Sequence, residues 1–128
     1  MNRTQEREWV IKLAYQSQLN KIEKDYLDNI LDYHKVNTEF IRSSLLAIFD
    51  NVDEIDQIIE DHMSNSNMNT LLAIESAILR VAVNEFVISK TVPTSVAINE
   101  AVENAKKYGN QDSYKLINGI LSSIAKDI

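Results

Sequence analysis

Residues 71–88 read LLAIESAILRVAVNEFVI, a predominantly apolar stretch without glycine or proline. Such a stretch predicts a helix whose side chains are buried on most sides. Its few polar residues are therefore exceptions that need partners. Arg80 lies in the middle of the stretch, and a buried guanidinium requires a carboxylate to offset its loss of hydration. Glu100 and Glu103, on the next predicted helix, are the candidate partners.

The segments after this stretch predict two more helices. One begins at Pro93, since proline is tolerated in the first turn of a helix, and it ends at Gly109, which fits a C-terminal cap. The other begins at Gln111 or Asp112 and buries an apolar stripe. The stripe consists of Leu116, Ile117, Ile120, Leu121 and Ile124. Gly119, in the interior of this helix, costs about 1 kcal/mol relative to alanine and predicts close approach by a neighbouring helix.

The segments before the stretch predict three helices, at about residues 4–19 and 22–33 and then from residue 41 onward. The apolar positions of the third helix recur at steps of four and three: Ile41, Leu45, Ile48, Val52, Ile55 and Ile59. This spacing predicts one continuous helix, capped by Asn37 or Thr38, that packs within a bundle. A coiled-coil seam is the alternative, although fewer than three heptads are present.

Two glycines and one proline in 128 residues leave few chain breaks, which argues against a β-sandwich or barrel. The predicted fold class is all-α, with six to seven helices in two halves. A length below about 150 residues predicts one domain, 1–128. Within it, residues 1–63 form the N-terminal helical half, 64–70 a polar linker and 71–128 the C-terminal helical half.

The formal net charge of −6 is unevenly distributed along the chain. Residues 1–64 hold 7 basic and 13 acidic side chains, whereas residues 65–128 hold 6 of each. The first 24 residues carry a local charge of +2. Overall acidity argues against a nucleic-acid partner, but this acidity lies in residues 25–64. RNA is therefore expected to avoid that region, including the acidic run at 50–61, rather than the whole molecule.

The patterns of known catalytic and metal sites are missing from the sequence. The lack of cysteine excludes disulfides, thiolate zinc sites and cysteine nucleophiles. His34 and His62 do not complete a Glu-x-x-His pattern, and two glycines cannot form a phosphate-binding loop. We therefore expect no enzymatic activity, metal or cofactor. The absence of a leader and of an apolar run of about 18 residues predicts a cytoplasmic protein that does not contact membranes.

Several segments carry a resemblance to a known family. In the second half they are AILRVA at 77–82, NEF at 84–86, VP at 92–93, VAINEAVE at 96–103, AKKYG at 105–109 and DSYKLINGIL at 112–121. Arg7-Glu8 and Leu13-Ala14-Tyr15-Gln16 extend the similarity into the first helix. Together these segments resemble the NusB transcription antitermination factors.

The resemblance implies an all-α fold of two small antiparallel bundles. It also implies binding of boxA-type single-stranded RNA jointly with the ribosomal protein NusE, in support of antitermination and rRNA transcription by the transcription elongation complex. By position, the expected RNA-binding residues are Arg3, Arg7, Tyr15, Asp112, Lys115 and Leu116. Glu75 is the expected partner-binding residue, facing NusE.

Two departures from the family pattern bear on RNA affinity. Glu6 lies between Arg3 and Arg7, where the family has a cluster of arginines. Leu116 stands where the family usually has a phenylalanine that could stack on a base. Fewer basic residues predict weaker binding with a flatter salt dependence, and hence more reliance on NusE. The alternative function is a NusB-fold protein-interaction module with weakened or lost RNA binding.

Overall fold

Seven α-helices make up most of the chain, and the computed structural model describes all of its residues, 1–128, without a strand. The helices are α1 (Arg3–Leu19), α2 (Lys24–His34), α3 (Glu39–Asp50), α4 (Val52–Asp61), α5 (Ala73–Val83), α6 (Thr94–Tyr108) and α7 (Ser113–Lys126). A 3₁₀ turn spans Met68–Thr70, and a π-helical turn spans Asn84–Ile88. The all-α prediction is thus confirmed. None of the helices is both long and apolar enough to span a membrane.

Local side-chain chemistry sets several helix starts. Asn2 accepts a hydrogen bond from the N–H of Gln5, whose side chain accepts one in return from the N–H of Asn2. This reciprocal pair satisfies two backbone donors that the first turn of α1 would otherwise leave free. Thr38 is the cap of α3, because its hydroxyl accepts from the N–H of Ile41 at 3.2 Å. Pro93 directly precedes α6, as its fixed backbone angle predicts.

The predicted continuous helix from Ile41 to Ile59 is broken at Asn51. The backbone of Asn51 leaves the helical region (φ −123°, ψ 19°), so that α3 ends at Asp50 and α4 begins at Val52. The Asn51 side chain donates to the carbonyl of Ala47 at 2.7 Å. An asparagine side chain that bonds the backbone competes with the helix in this way. The predicted apolar stripe itself is correct, since five of its six members are buried in the core of the molecule.

The stretch at 71–88 also differs from one uniform α-helix. It is α-helical to Val83 and then widens into the π-helical turn. A π turn holds one extra residue and rotates the following side chains relative to an α-helix. Here Asn84, Glu85 and Phe86 are all buried. The expected burial of this stretch is confirmed, and its last turn places a carboxylate inside the molecule.

The helix α5 lies at the centre, with α1 antiparallel beside it. Gln18 near the end of α1 donates to the carbonyl of Ala73 at the start of α5, at 2.9 Å. At the other end, Arg7 of α1 reaches Glu85 just after α5. The 27 buried apolar residues form one connected cluster that includes members from both predicted halves. The two halves therefore share a single core.

The two glycines have different surroundings. Gly109 caps α6 as predicted, and a Cβ there would lie 2.5 Å from both Cβ and Oγ of Ser113, so the start of α7 needs a glycine at this place. The expectation of close helix approach at Gly119 is wrong. A Cβ at Gly119 would meet nothing within 4 Å, because this face of α7 points to open space.

Candidate nucleic-acid interface

Arg7, expected to bind RNA, is buried, with 3% of its surface exposed. Its Nε donates to both carboxylate oxygens of Glu85, at 2.9 and 2.8 Å, and its Nη1 lies 3.1 Å from Oε1 of Glu100. Contrary to the expectation, Arg7 does not lie on the surface in this structure. The reason is that Glu85, in the π-helical turn after α5, points into the molecule and binds Arg7 in the first turns of α1.

The buried pair has an electrostatic consequence for Glu85. Burial raises the pKa of the Glu85 carboxyl above its ordinary value, because the charged form loses hydration. The charge and hydrogen bonds of Arg7 oppose this rise. Thr4 also donates to Oε1 of Glu100 at 2.9 Å, so the first turns of α1 are fastened to α6 as well. These contacts fix where the N-terminus of α1 lies.

Arg3 is the one arginine of the predicted set that remains exposed. Its Nη1 lies 3.1 Å from Oε1 of Glu6, and its guanidinium carbon lies 4.1 Å from the centre of the Phe40 ring. The other oxygen of Glu6 accepts from Thr38 at 2.6 Å. Glu6, which lies between Arg3 and Arg7 in the sequence, therefore neutralises part of the charge of Arg3.

The start of α7 presents three residues of the predicted set to solvent. Asp112, Lys115 and Leu116 are all exposed. Ser113 between them is buried, and its hydroxyl donates to Oε2 of Glu75 at 2.6 Å. This bond ties the first turn of α7 to the first turn of α5 and holds the three exposed side chains in place.

Glu75, expected to face a partner, is 5% exposed. One carboxylate oxygen accepts from the N–H of Leu72 at 2.9 Å, which caps α5, and the other accepts from Ser113. The expected partner contact therefore does not fit the position of Glu75. The sequence correctly marks Glu75 as a polar exception on an apolar helix, but its partner is the serine that opens α7.

A contact that the sequence did not predict joins α1 to the end of α6. Glu8 accepts from Lys107 Nζ at 2.8 Å and from the Tyr108 hydroxyl at 3.1 Å. The hydrogen bond from Lys107 lowers the pKa of Glu8, and the same bond raises the pKa of Lys107. Tyr15 lies seven residues, or about two turns, beyond Glu8 on the same face of α1, and it is 36% exposed. The Tyr15 ring is thus partly open to a ligand on this face of α1.

Lysines flank an aromatic ring on the adjoining surface. The Nζ of Lys106 lies 5.4 Å and that of Lys115 5.9 Å from the centre of the Tyr114 ring. The three side chains line a groove between α6 and α7 together with Asn118. We call Lys106, Tyr114, Lys115 and Leu116 the α7 surface. The Lys-Lys-Tyr-Gly sequence and the Tyr-Lys pair were visible signals for Lys106 and Tyr114, which the expected set did not include.

Arg80 pairs with a carboxylate other than those expected. Its Nε and Nη2 donate to the two oxygens of Asp56, each at 2.8 Å. The candidates Glu100 and Glu103 are wrong, because α4 rather than α6 brings its carboxylate to this side of α5. Asp56 belongs to the acidic run at 50–61, so that run is not only a solvated face.

These features define an all-helical protein that presents two lysines beside a tyrosine ring where its last two helices meet. The sequence model of the NusB family matches residues 4–126. The chain is 35% identical to the transcription antitermination protein NusB of Thermoanaerobacter sp. (strain X514), over 99% of this chain and 92% of that protein. The identity is also 35% to the protein of the same name from Finegoldia magna, over 98% and 95%. The chain belongs to the NusB family.

Solved structures share this fold. NusB of T. maritima superposes with a TM-score of 0.87 at 33% identity, covering 99% of this chain and 92% of that one. A structure of the antitermination factors NusB and NusE in complex with double-stranded RNA gives a TM-score of 0.84 at 24% identity, with both chains fully covered.

Proposed function

We propose that this protein is a transcription antitermination factor that binds boxA-type single-stranded RNA together with NusE and so supports rRNA transcription in the elongation complex. The observation that carries the proposal is its similarity along nearly the whole chain to proteins named transcription antitermination protein NusB. A protein of the same fold has been captured with NusE and RNA. The proposed chemistry is recognition, without a reaction.

The α7 surface is the proposed centre of the RNA contact. Lysines neutralise phosphates, and exposed aromatic rings stack on unpaired bases. Lys106 and Lys115 flank the half-buried ring of Tyr114. The exposed ring of Tyr15 lies about two turns along α1 from Glu8, which is bonded to the end of α6. Arg3, Asp112 and Leu116 complete the exposed residues of the proposed set. Arg7 contributes indirectly, by fixing α1 to the molecule.

The position of Glu75 supports a structural role in place of the expected contact with NusE. Its bond to Ser113 holds the first turn of α7, and Lys115 lies two residues further along that turn. We propose that Glu75 positions the RNA-binding surface and that NusE binds elsewhere on the molecule.

A matched pair of lysines on α7 tests this assignment. Lys115→Ala removes a charge from the α7 surface, whereas Lys126→Ala removes a charge that is also exposed, at the opposite end of the same helix. With labelled boxA RNA and NusE present, we expect Lys115→Ala to weaken binding. It is also expected to reduce the slope of log affinity against log salt by about 0.7 for each phosphate that the variant no longer neutralises. Lys126→Ala should leave both unchanged, and equal effects of the two variants would refute the assignment.

One observation favours the second candidate, a protein-interaction module with weakened or lost RNA binding. Of the two N-terminal arginines, Arg7 is enclosed by carboxylates and Arg3 is paired with Glu6. A stable complex with NusE that retains no boxA RNA at low salt would support this candidate over the first.

A further inference from the structure

Four side chains of α1 and α2 form a partly exposed cluster that the proposed RNA contact does not use. The ring centres of Trp9 and His34 are 5.2 Å apart, and those of His34 and Tyr33 are 5.0 Å apart in an edge-on arrangement. The Nζ of Lys12 lies 5.0 Å from the centre of the Trp9 ring. We call Trp9, Lys12, Tyr33 and His34 the Trp9 cluster.

The exposure of this cluster is not explained by folding. Tyr33 is 81% exposed, and His34 and Lys12 are also exposed, whereas Trp9 is half-buried against the core. Large aromatic side chains usually bury most of their surface, because burial of apolar area is what stabilises the fold. An exposed aromatic stack held on two rigid helices is a preformed surface on which planar groups can stack.

Two acidic residues of α2, Asp28 and Asp32, are directed away from the cluster. Asp28 accepts from Arg42 Nε at 2.8 Å, and Asp32 accepts from the Asn37 side chain at 2.8 Å. Both contacts lie on the side of α2 that meets the start of α3, while His34 contacts Trp9 of α1 and Tyr33 contacts His34. The charged group that contacts a ring of the cluster is the ammonium of Lys12, over Trp9. The local charge therefore suits an anionic polymer even though α2 as a whole is acidic.

The cluster is continuous with the proposed RNA contact across the outer face of α1. Lys12 lies one turn beyond Glu8, which is bonded to Lys107 and Tyr108 at the end of α6. Lys12 is also three residues before Tyr15, which is 36% exposed. Exposed cations and rings thus run from the α7 surface, over α1, to Trp9, His34 and Tyr33.

We infer that single-stranded RNA bound at the α7 surface continues across α1 and stacks at least one unpaired base on the Trp9 cluster. The inference rests on the proposed function and extends it, since it adds a second contact with a different part of the RNA. Stacking needs only the flat face of a base, so this contact tolerates any sequence. It provides affinity for bases flanking the specific element, and Lys12 neutralises a phosphate there.

Trp9 is the only tryptophan in the chain, so the unmodified protein reports on its own cluster. Three RNAs are titrated at equal salt in the presence of NusE: the boxA element alone, the element extended by several nucleotides at both ends, and the same extension made with abasic nucleotides. NusE fluorescence is subtracted with a titration lacking this protein. We expect the extended RNA to quench Trp9 emission and to bind about tenfold tighter than the abasic one. Equal affinity of these two RNAs, with no difference in quenching, would overturn the inference.

Variants of α2 test whether base stacking causes the gain in affinity from the extended RNA. Tyr33→Ala should remove most of the gain from the base-bearing extension, and Tyr33→Phe should keep it, because the ring is retained. Tyr26→Ala is the matched control, since Tyr26 is 62% exposed on the same helix but does not contact the cluster. An equal loss in Tyr26→Ala and Tyr33→Ala would contradict the inference.

Three further outcomes are informative. If Tyr33→Ala leaves RNA affinity intact but weakens capture of NusE, the cluster binds protein and the inference is wrong. If the element alone does not bind even the unmodified protein with NusE, the proposed function fails. If the element alone binds and depends on Lys115 while the extension adds nothing, only the Trp9 cluster inference fails.

Discussion

Arg7 and Glu85, 78 positions apart in the sequence, form a buried ion pair in which Nε of Arg7 donates to both carboxylate oxygens. Both side chains are almost fully enclosed, and each is within hydrogen-bonding distance of the other at 2.8–2.9 Å. The pair fixes the N-terminal turns of α1 to the π turn that follows α5. Arg7, whose position in the sequence suggested contact with RNA, thus holds in place α1, the helix that carries Tyr15 and Trp9.

Replacing Arg7 should therefore affect stability more than RNA chemistry. In Arg7→Met, Glu85 remains buried without its cation, and breaking such a pair costs about 3–5 kcal/mol. Urea unfolding should show this loss directly. Arg3→Met is the matched control, since Arg3 makes an exposed pair with Glu6 and should cost at most about 1 kcal/mol. A normal free energy of unfolding in Arg7→Met, combined with lost RNA binding, would contradict the structural role.

Glu85 and Glu8 should change the free energy of unfolding with pH in opposite directions. Glu85 has a raised pKa, so its contribution is fully present below the ordinary glutamate pKa and is lost as pH rises through the raised value. Glu8 has a lowered pKa, so its contribution is present above the ordinary pKa and is lost as pH falls through the lowered value.

Urea unfolding between about pH 3 and pH 7 tests both signs. The stability of the unmodified protein relative to Glu85→Gln should decrease as pH rises. Its stability relative to Glu8→Gln should decrease as pH falls. Slopes of the same sign for the two glutamates would contradict the assigned environments.

The two glycines should respond oppositely to alanine. Gly119→Ala adds a methyl group in open space and removes backbone freedom from the unfolded chain, so it should stabilise the protein by about 0.5–1 kcal/mol. Gly109→Ala forces a Cβ to within 2.5 Å of Ser113 and should destabilise by about 1–3 kcal/mol. Thermal unfolding of the two variants measures the difference. Stabilisation by Gly109→Ala would show that α7 does not start as described.

Glu75 and Ser113 should be energetically coupled. Glu75→Ala leaves the Leu72 N–H and the Ser113 hydroxyl without their acceptor, which should cost about 1–3 kcal/mol. A double-mutant cycle with Ser113→Ala should give a coupling energy of about 0.5–3 kcal/mol. If Glu75→Ala unfolds normally and only loses affinity for NusE, Glu75 contacts the partner and the structural role is wrong.

The sequence allowed prediction of features that depend on neighbouring residues. The apolar spacing from Ile41 to Ile59, the Thr38 cap and the cap at Gly109 are all local patterns, and each agrees with the structure. The family resemblance added the expectation of two small antiparallel bundles. The break at Asn51 could not be predicted, because an asparagine that bonds its own helix looks like any exposed polar residue.

The candidate site was harder to predict, because it depends on which helices pack together. Arg7 and Glu75 stood out as charges, but their partners lie 78 and 38 residues away. The same holds for Arg80, whose carboxylate comes from α4 and not from α6. The tertiary fold determines whether a charged residue is buried. The positions of Arg7 and Glu75 in the family pattern therefore did not reveal their burial. Tyr15 and Lys115 are exposed, as contact with RNA requires, whereas Leu116 is 41% exposed although the apolar stripe of the last helix predicts its burial.

The central claim is joint RNA recognition, and one binding measurement tests it most directly. Labelled boxA RNA and a scrambled RNA of equal length are titrated with this protein, with and without NusE, at two salt concentrations, and fluorescence anisotropy is recorded. We predict that the mixture with NusE binds boxA RNA at least about tenfold tighter than scrambled RNA, a difference of about 1.4 kcal/mol, and that this preference weakens without NusE. Equal affinity of the mixture for both RNAs at moderate salt would contradict the claim.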